Sequence, residues 1–380
     1  MLTHVLVALA LVASAAAQFP GARRATAGEW NYDDADATSG PVHWAEICSN
    51  QAGAGQQSPV HLCGATKWGA AAPTIVFTGY DTNMDFEIMN PNKRLGGAQI
   101  VAPAGLSLTA DGLAEKVGRA TALVAGYTLV QAHFHWCAEH HIEGRQPTLE
   151  VHFVHMDSKF ADLTAALGSG EKSALLVVGQ FYEVFTSESP ALTTIAVGLK
   201  DMARRAGSAT KTIKAAELID TTGGYYSYGG SLTTPTCNAV VTWVVMANSL
   251  PITQKSLDMF LAIKQEAGDL TRIHGNARPL QALGSRTVYG PRCPGPDRRG
   301  YPPLQDFLYA LPGRRPDRWR LRDGHPPLDD LPAVRAAVSR PAVHAAVHVP
   351  ADADGSVGAI RDLSFCSDTA LGGVYGGRVG

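Results

Sequence analysis

The densest set of side chains able to do chemistry lies in residues 131–141, QAHFHWCAEHH, where four of the chain's thirteen histidines fall within nine positions. Alternate side chains of a β-strand share a face, so His133 and His135 point the same way and Phe134 points away. A second alternating, β-branched stretch, Leu149-Glu-Val-His-Phe-Val-His155, carries Glu150 and His152 on one face. The residues between, 136–149, have the length of a hairpin connection. Antiparallel pairing then brings His152 to His133 and His135. Three neutral imidazoles with an open fourth position describe a catalytic zinc site. A histidine-rich hairpin without metal is the plainer alternative, and the third alternating histidine weighs against it. Gln131 and Glu150 each precede a candidate ligand by two residues and share its face, where each can hold the ligand's second ring nitrogen.

The elements that must position these groups read mainly as strands, from about residue 25 to residue 289. Residues 174–185 and 239–247 are nearly continuous apolar runs, as central strands require. Two helices are predicted. One lies within residues 190–205, and the other follows Pro251 over LDMFLAIKQEAG, with Gly268 as its stop.

Hydrophobic content of 45% and a formal charge of −2 describe a soluble globular protein. That balance points to neither nucleic acid nor a membrane surface as a partner. The N-terminal run MLTHVLVALALVASAAAQFP is too short for a membrane span and ends in an A-x-A pattern. It reads as a signal peptide over residues 1–17, cleaved near Gln18, which places the mature chain outside the cytosol. There the six cysteines can pair, although spacing alone does not say how. From residue 290 the composition changes. Residues 291–340 hold ten Arg and ten Pro, and neither Lys nor Glu occurs after Glu266. Residues 290–380 therefore read either as a flexible tail or as translated non-coding sequence. The pair His344 and His348 within them has zinc-like spacing but sits between prolines and lacks a neighbouring Glu, so it is not assigned a metal.

With these residues in view, the run from Gln131 to His155 resembles the signature of the α-class carbonic anhydrases. Trp30-Asn-Tyr32, Gly40-Pro-Val-His-Trp44 and Gln57-Ser-Pro-Val60 resemble the family's N-terminal pattern in order. Tyr228-Gly-Gly-Ser-Leu-Thr-Thr-Pro235, Val241-Thr-Trp243 and Asn276-Ala-Arg-Pro-Leu-Gln281 continue it, so that the likeness covers residues 28–289. It implies a single mainly β domain at 25–289, built on a large, mostly antiparallel twisted sheet with surface helices.

The activity implied is reversible hydration of CO2 to bicarbonate and a proton by hydroxide bound to Zn2+, which His133, His135 and His152 would hold. Gln131, Glu150 and the backbone carbonyl of Asn276 would orient those ligands. Thr233 would aim the hydroxide and donate its own proton to Glu139, since a carboxylate can only accept. Val154, Val177, Leu232, Thr234, Val241 and Trp243 would wall an apolar CO2 pocket, and each suits plain core equally well. His140 corresponds to a buried structural histidine; His141 and His155 read as structural or surface. Cys48 and Cys237 correspond to the disulfide of secreted members. Sulfonamide-type inhibitors are the expected ligands of such a site.

Two departures qualify the resemblance. The histidine that relays protons in fast members is missing, and its position falls near Lys93, so turnover limited by proton transfer is expected. Cys137 stands where glycine is usual, either turned toward the metal by alternation or held as a small buried or disulfide-bonded side chain. Cys63 has no family partner. The rival reading is a non-catalytic carbonic-anhydrase-like binding module, against which the intact ligands, Glu139 and Thr233 argue.

Overall fold

The computed structural model describes residues 30–32, 39–44, 48, 54–68, 71–90, 97–118, 126–205, 207–266 and 275–291. Its strands are β1 (Thr66–Lys67), β2 (Val76–Thr78), β3 (Asn83–Met89), β4 (Ala98–Val101), β5 (Ser107–Thr109), β6 (Tyr127–His135), β7 (Leu149–Asp157), β8 (Leu175–Phe185), β9 (Ala209–Lys214), β10 (Tyr225–Gly230), β11 (Val241–Thr253) and β12 (Tyr289–Gly290). They form one twelve-stranded sheet in the order β1-β12-β10-β11-β8-β7-β6-β4-β3-β9, with β5 joining β2 to β6. Among the strands of the described residues only β1–β12 and β8–β11 pair in parallel, so the sheet is mostly antiparallel.

Alternation in β6 and β7 divides the molecule. Ala132 and Phe134 of β6, with Val151 and Phe153 of β7, enter the larger apolar core on one side of the sheet. Gln131, His133 and His135, with Glu150, His152 and Val154, lie on the other. Each large apolar side chain buried this way contributes roughly 1.5–3 kcal/mol. A one-residue slip would exchange the faces, so the apolar face fixes the register that places the histidines.

Two longer helices cover the larger core. Helix α1 (Pro190–Arg205) buries Leu192, Ile195, Ala196, Leu199 and Met202 at i, i+3, i+4 and i+7 spacing, and α2 (Gln254–Glu266) buries Leu257, Phe260 and Ile263. Pro190 opens α1, where its missing N–H costs nothing, and the Ser189 hydroxyl accepts from Leu192 N. Helix α2 starts at Gln254, capped by the Thr253 hydroxyl, which accepts from Ser256 N. Pro251 belongs to β11, which runs to Thr253 and so extends beyond the apolar run read in the sequence. Beyond Met246 that strand keeps β8 as partner and has lost β10, so a proline is tolerated there as on any edge. Gly268 lies outside the described residues.

Candidate metal centre

The antiparallel register of β6 on β7 makes His133 and His152 direct partners, with His135 opposite Glu150 and Gln131 opposite Val154. The three histidines each offer one ring nitrogen, and the three nitrogens lie within 4.8 Å of one another. The remaining nitrogen of each is engaged. His133 Nδ1 is 2.9 Å from Gln131 Oε1, His135 Nδ1 is 2.8 Å from the Asn276 carbonyl, and His152 Nε2 is 2.7 Å from Glu150 Oε1. Each contact makes the engaged nitrogen the N–H donor and leaves a lone pair on the other.

Electrostatics favour the same state. Burial, reinforced by the neighbouring imidazoles His135 and His152, holds His133 well below the usual histidine range. Burial also lowers His135, against the opposing pull of Glu139. Both rings are therefore neutral, as a metal ligand must be. His135 Nε2 is buried with no hydrogen-bond partner, a deficit of about 1–3 kcal/mol that a metal would remove. The donor set fits zinc: three neutral imidazoles, outer nitrogens held, one buried lone pair left over.

Glu150 ties the centre to the sheet's interior. Its Oε1 lies 2.7 Å from both His152 Nε2 and His140 Nδ1, and its Oε2 accepts from the backbone N–H groups of Glu139 and His140. Burial raises its carboxyl, but His140 and His152 with their hydrogen bonds outweigh burial and leave it well below the usual range. His140 Nε2 in turn is 2.7 Å from the Tyr228 hydroxyl, which is 2.8 Å from Ser58 Oγ. His140, Glu150 and His152 also satisfy the distance requirement for a metal group, but their facing atoms are already joined by these short hydrogen bonds.

Glu139 is 1% exposed. Its Oε1 accepts from Arg278 N, while Oε2 has no hydrogen-bond partner and lies 3.5 Å from His135 Nε2 and 3.8 Å from His152 Nδ1. Among the described residues no hydrogen bond joins Glu139 to Thr233. Thr233 is buried in the loop after β10, which is braced on three sides. Ser58 N donates to Ser231 Oγ, Trp243 Nε1 donates to the Ser231 carbonyl, and Leu232 N donates to Asn238 O. The disulfide Cys48–Cys237 and the bond from Gln57 Nε2 to Cys237 O close its far end.

Val154, Val177, Val241 and Trp243 belong to one apolar cluster on this side of the sheet, with Leu232 packed against it. Val154 faces Val177 across β7–β8, and Val177 faces Trp243 across β8–β11. The Trp243 ring stands 4.7 Å from that of His152, which carries the apolar wall up to the histidine cluster. Thr234 is partly buried beside Thr233.

Cys137 and Cys63 are both disulfide-bonded, so Cys137 offers no thiolate to the metal and its place is that of a bridged cysteine. His155 is fully buried behind the site, its Nε2 against the Tyr80 hydroxyl and its Nδ1 donating to the Phe153 carbonyl. Residues 1–17, Lys93, Cys293 and the tail with His344 and His348 lie outside the described residues. Sequence reasoning overlooked Tyr228, Gly275 and the Arg278 N–H. Gly275 stands at φ 73, and a Cβ there would meet the Trp136 carbonyl oxygen at 1.4 Å, so only glycine lets Asn276 reach His135. A glycine directly before Asn276 was the available signal.

A family model of the eukaryotic-type carbonic anhydrase matches residues 39–291. The chain belongs to that family. Its sheet is the α-carbonic anhydrase fold. Carbonic anhydrase 15 of Mus musculus is 29% identical over 284 residues, covering 69% of this chain and 83% of the relative. Carbonic anhydrase 4 of Mus musculus is 27% identical over 270 residues, covering 67% and 80%. Carbonic anhydrase 7 of Homo sapiens is 27% identical over 269 residues, covering 68% and 96%. CO2 and bicarbonate are the substrates that membership implies, and the family's metal is generally zinc, for which the His133, His135 and His152 cluster is the matching set. Among the described residues no helix is long and apolar enough to cross a membrane.

Proposed function

We propose that the chain is a zinc-dependent hydratase that interconverts CO2 and bicarbonate, with His133, His135 and His152 as the ligands. The observation that carries this reading is the convergence of three ring nitrogens whose outer partners are all engaged, one of them buried and otherwise unsatisfied. Zinc bound there supplies a Lewis acid that lowers the pKa of a water to roughly 7, an effect for which carbonic anhydrase is the standard example.

The chain's own residues do the rest. Gln131, Glu150 and the Asn276 carbonyl hold the imidazoles in one tautomer and orientation. Thr233 would accept a hydrogen bond from the bound nucleophile and donate its own hydroxyl hydrogen bond to Glu139, a carboxylate that can only accept and whose Oε2 has no other hydrogen-bond partner. Val154, Val177, Leu232, Val241 and Trp243 exclude water from the space CO2 would enter, and Thr234 offers a polar edge for the bicarbonate product. The chain acts outside the cytosol, a placement that the Cys48–Cys237 disulfide suits, and sulfonamide-type inhibitors are its expected ligands.

Stopped-flow CO2 hydration by the zinc-loaded protein, with and without a chelator and with added imidazole, tests this. Chelator-sensitive hydration supports it, and acceleration by imidazole supports the missing relay near Lys93. A folded, zinc-loaded protein without hydration would make the chain a binding module instead.

A further inference from the structure

Arg278 is buried, at 5% exposure, although a guanidinium does not shed its charge. Burying a charge is costly unless its donors are well used, and an apolar side chain of similar size often serves the fold as well. Among the described residues no ion pair holds this guanidinium. Its Nη1 donates instead to two neutral acceptors, Gln57 Oε1 at 2.9 Å and the Ser58 carbonyl at 2.8 Å. Its backbone N–H meanwhile donates to Glu139 Oε1 at 2.8 Å. One residue therefore grips the Glu139 carboxylate with its main chain and residues 57–58 with its side chain.

The grip on Gln57 has a direction. A guanidinium can only donate, so it compels the Gln57 amide to turn Oε1 toward Arg278 and Nε2 the other way. That Nε2 donates to the Cys237 carbonyl at 3.1 Å. Cys237 N in turn donates to the Thr234 carbonyl at 2.8 Å, closing the turn that follows Thr233. Cys237 stands at φ 60, a left-handed conformation that a non-glycine residue keeps only where its surroundings over-determine it. Here its N–H, carbonyl and sulfur are held by Thr234, Gln57 and Cys48 respectively. Without the Arg278 side chain the Gln57 amide can flip, and the turn loses one of its three anchors.

We propose that Arg278 is a positioning residue for hydration. Through its N–H it fixes Glu139, and through Gln57 it fixes the turn beside Thr233, so one residue sets where Thr233 and Glu139 stand relative to each other. This rests on the hydratase reading, in which Thr233 donates to Glu139.

Arg278→Met and Gln57→Leu, singly and together, test it in the full-length, zinc-loaded protein. In each single variant kcat and kcat/KM for CO2 hydration should fall together by about 10- to 100-fold, as a misplacement of about 1 Å does. The double variant should lose no more, because both changes break one chain of bonds. Zinc affinity should stay within about twofold of the parent's, since the ligands keep their outer partners. Parent kcat in the folded variants, with only the denaturant midpoint lowered, would make Arg278 a structural residue and overturn the proposal. Zinc affinity falling as far as kcat would also overturn it, because Arg278 would then act through the ligands. If Arg278→Met does not fold, Gln57→Leu carries the same test. Amide hydrogen exchange at Cys237 reads the bond chain without any activity. Faster exchange than in the parent is expected, and parent-like exchange overturns the link to the turn. An inactive parent whose variants exchange faster would remove the hydratase reading, and the role in hydration with it, but leave that link standing.

Discussion

His133 and His152 are cross-strand partners, one on β6 and one on β7, with ring centroids 5.2 Å apart. The apolar side chains on the opposite face set that register, so the geometry of the metal centre is inherited from the core. Removing one imidazole should therefore leave the fold and abolish the site. For His152→Ala we expect bound zinc to fall from about one per chain to near zero after dialysis, with the far-ultraviolet spectrum unchanged. Atomic emission on the dialysed protein checks it; retained stoichiometric zinc would mean that the metal lies elsewhere.

Zinc should also stabilise the chain, since the ligand cluster exists only in the folded state. At free zinc 1,000-fold above the dissociation constant, linkage gives about 4 kcal/mol. Chelation should lower the denaturant midpoint accordingly, with the slope unchanged. Equal midpoints with and without chelator would exclude a site that binds zinc tightly.

Glu150→Gln separates orientation from ligation. The amide keeps the size of the carboxylate but presents at most one acceptor oxygen to four N–H groups, those of His140, His152 and the backbones of Glu139 and His140. Loss of such an outer partner weakens metal binding about 10–100-fold. Competition with a zinc-chelating dye measures this, and an unchanged affinity would show that Glu150 serves the fold alone.

The unequal legibility of these groups in the sequence has a physical cause. Strand alternation is local, so the shared face of His133 and His135, with Glu150 and His152 opposite, is visible without coordinates. The apolar period of α1 is local too. The helix expected after Pro251 begins at Gln254, whereas the tolerance of Pro251 itself within β11 depends on which neighbour that strand has lost, which is not local. The Asn276 carbonyl reaches His135 across 141 positions, and only the family likeness, not the spacing, pointed to it. Gly275 and the Arg278 N–H belong to the same long-range contact. The pairing of β1 with β12 joins two-residue strands some 220 positions apart, too short to carry any period.

Gly275→Ala probes that long-range contact. The added Cβ would collide with the Trp136 carbonyl, and the left-handed backbone there already disfavours a side chain. The segment must shift, at a cost of roughly 1–3 kcal/mol for the strained backbone alone. Asn276 moves with it, so His135 loses its anchor. Expected outcomes are a lower denaturant midpoint and a weaker zinc affinity together; destabilisation with unchanged affinity would uncouple Asn276 from the metal.

His155 should weaken the fold toward acid pH. It is fully buried and neutral, accepting from the Tyr80 hydroxyl at Nε2 and donating at Nδ1 to the Phe153 carbonyl, and burial pushes its pKa down to about 3. In the unfolded chain it titrates near 6.5, so between those values the unfolded state binds the extra proton. The stabilisation from keeping it neutral is whole above about pH 6.5 and falls as the pH drops toward 3, amounting to about 2 kcal/mol lost at pH 5. His155→Gln cannot take up that proton. Its stability should be lower than the parent's at pH 7 but should decline less between pH 7 and pH 5, by about 2 kcal/mol in denaturant titrations at the two values. Parallel declines in parent and variant would mean that His155 is already protonated, or accessible to protons, in the folded state, and that other groups govern acid unfolding.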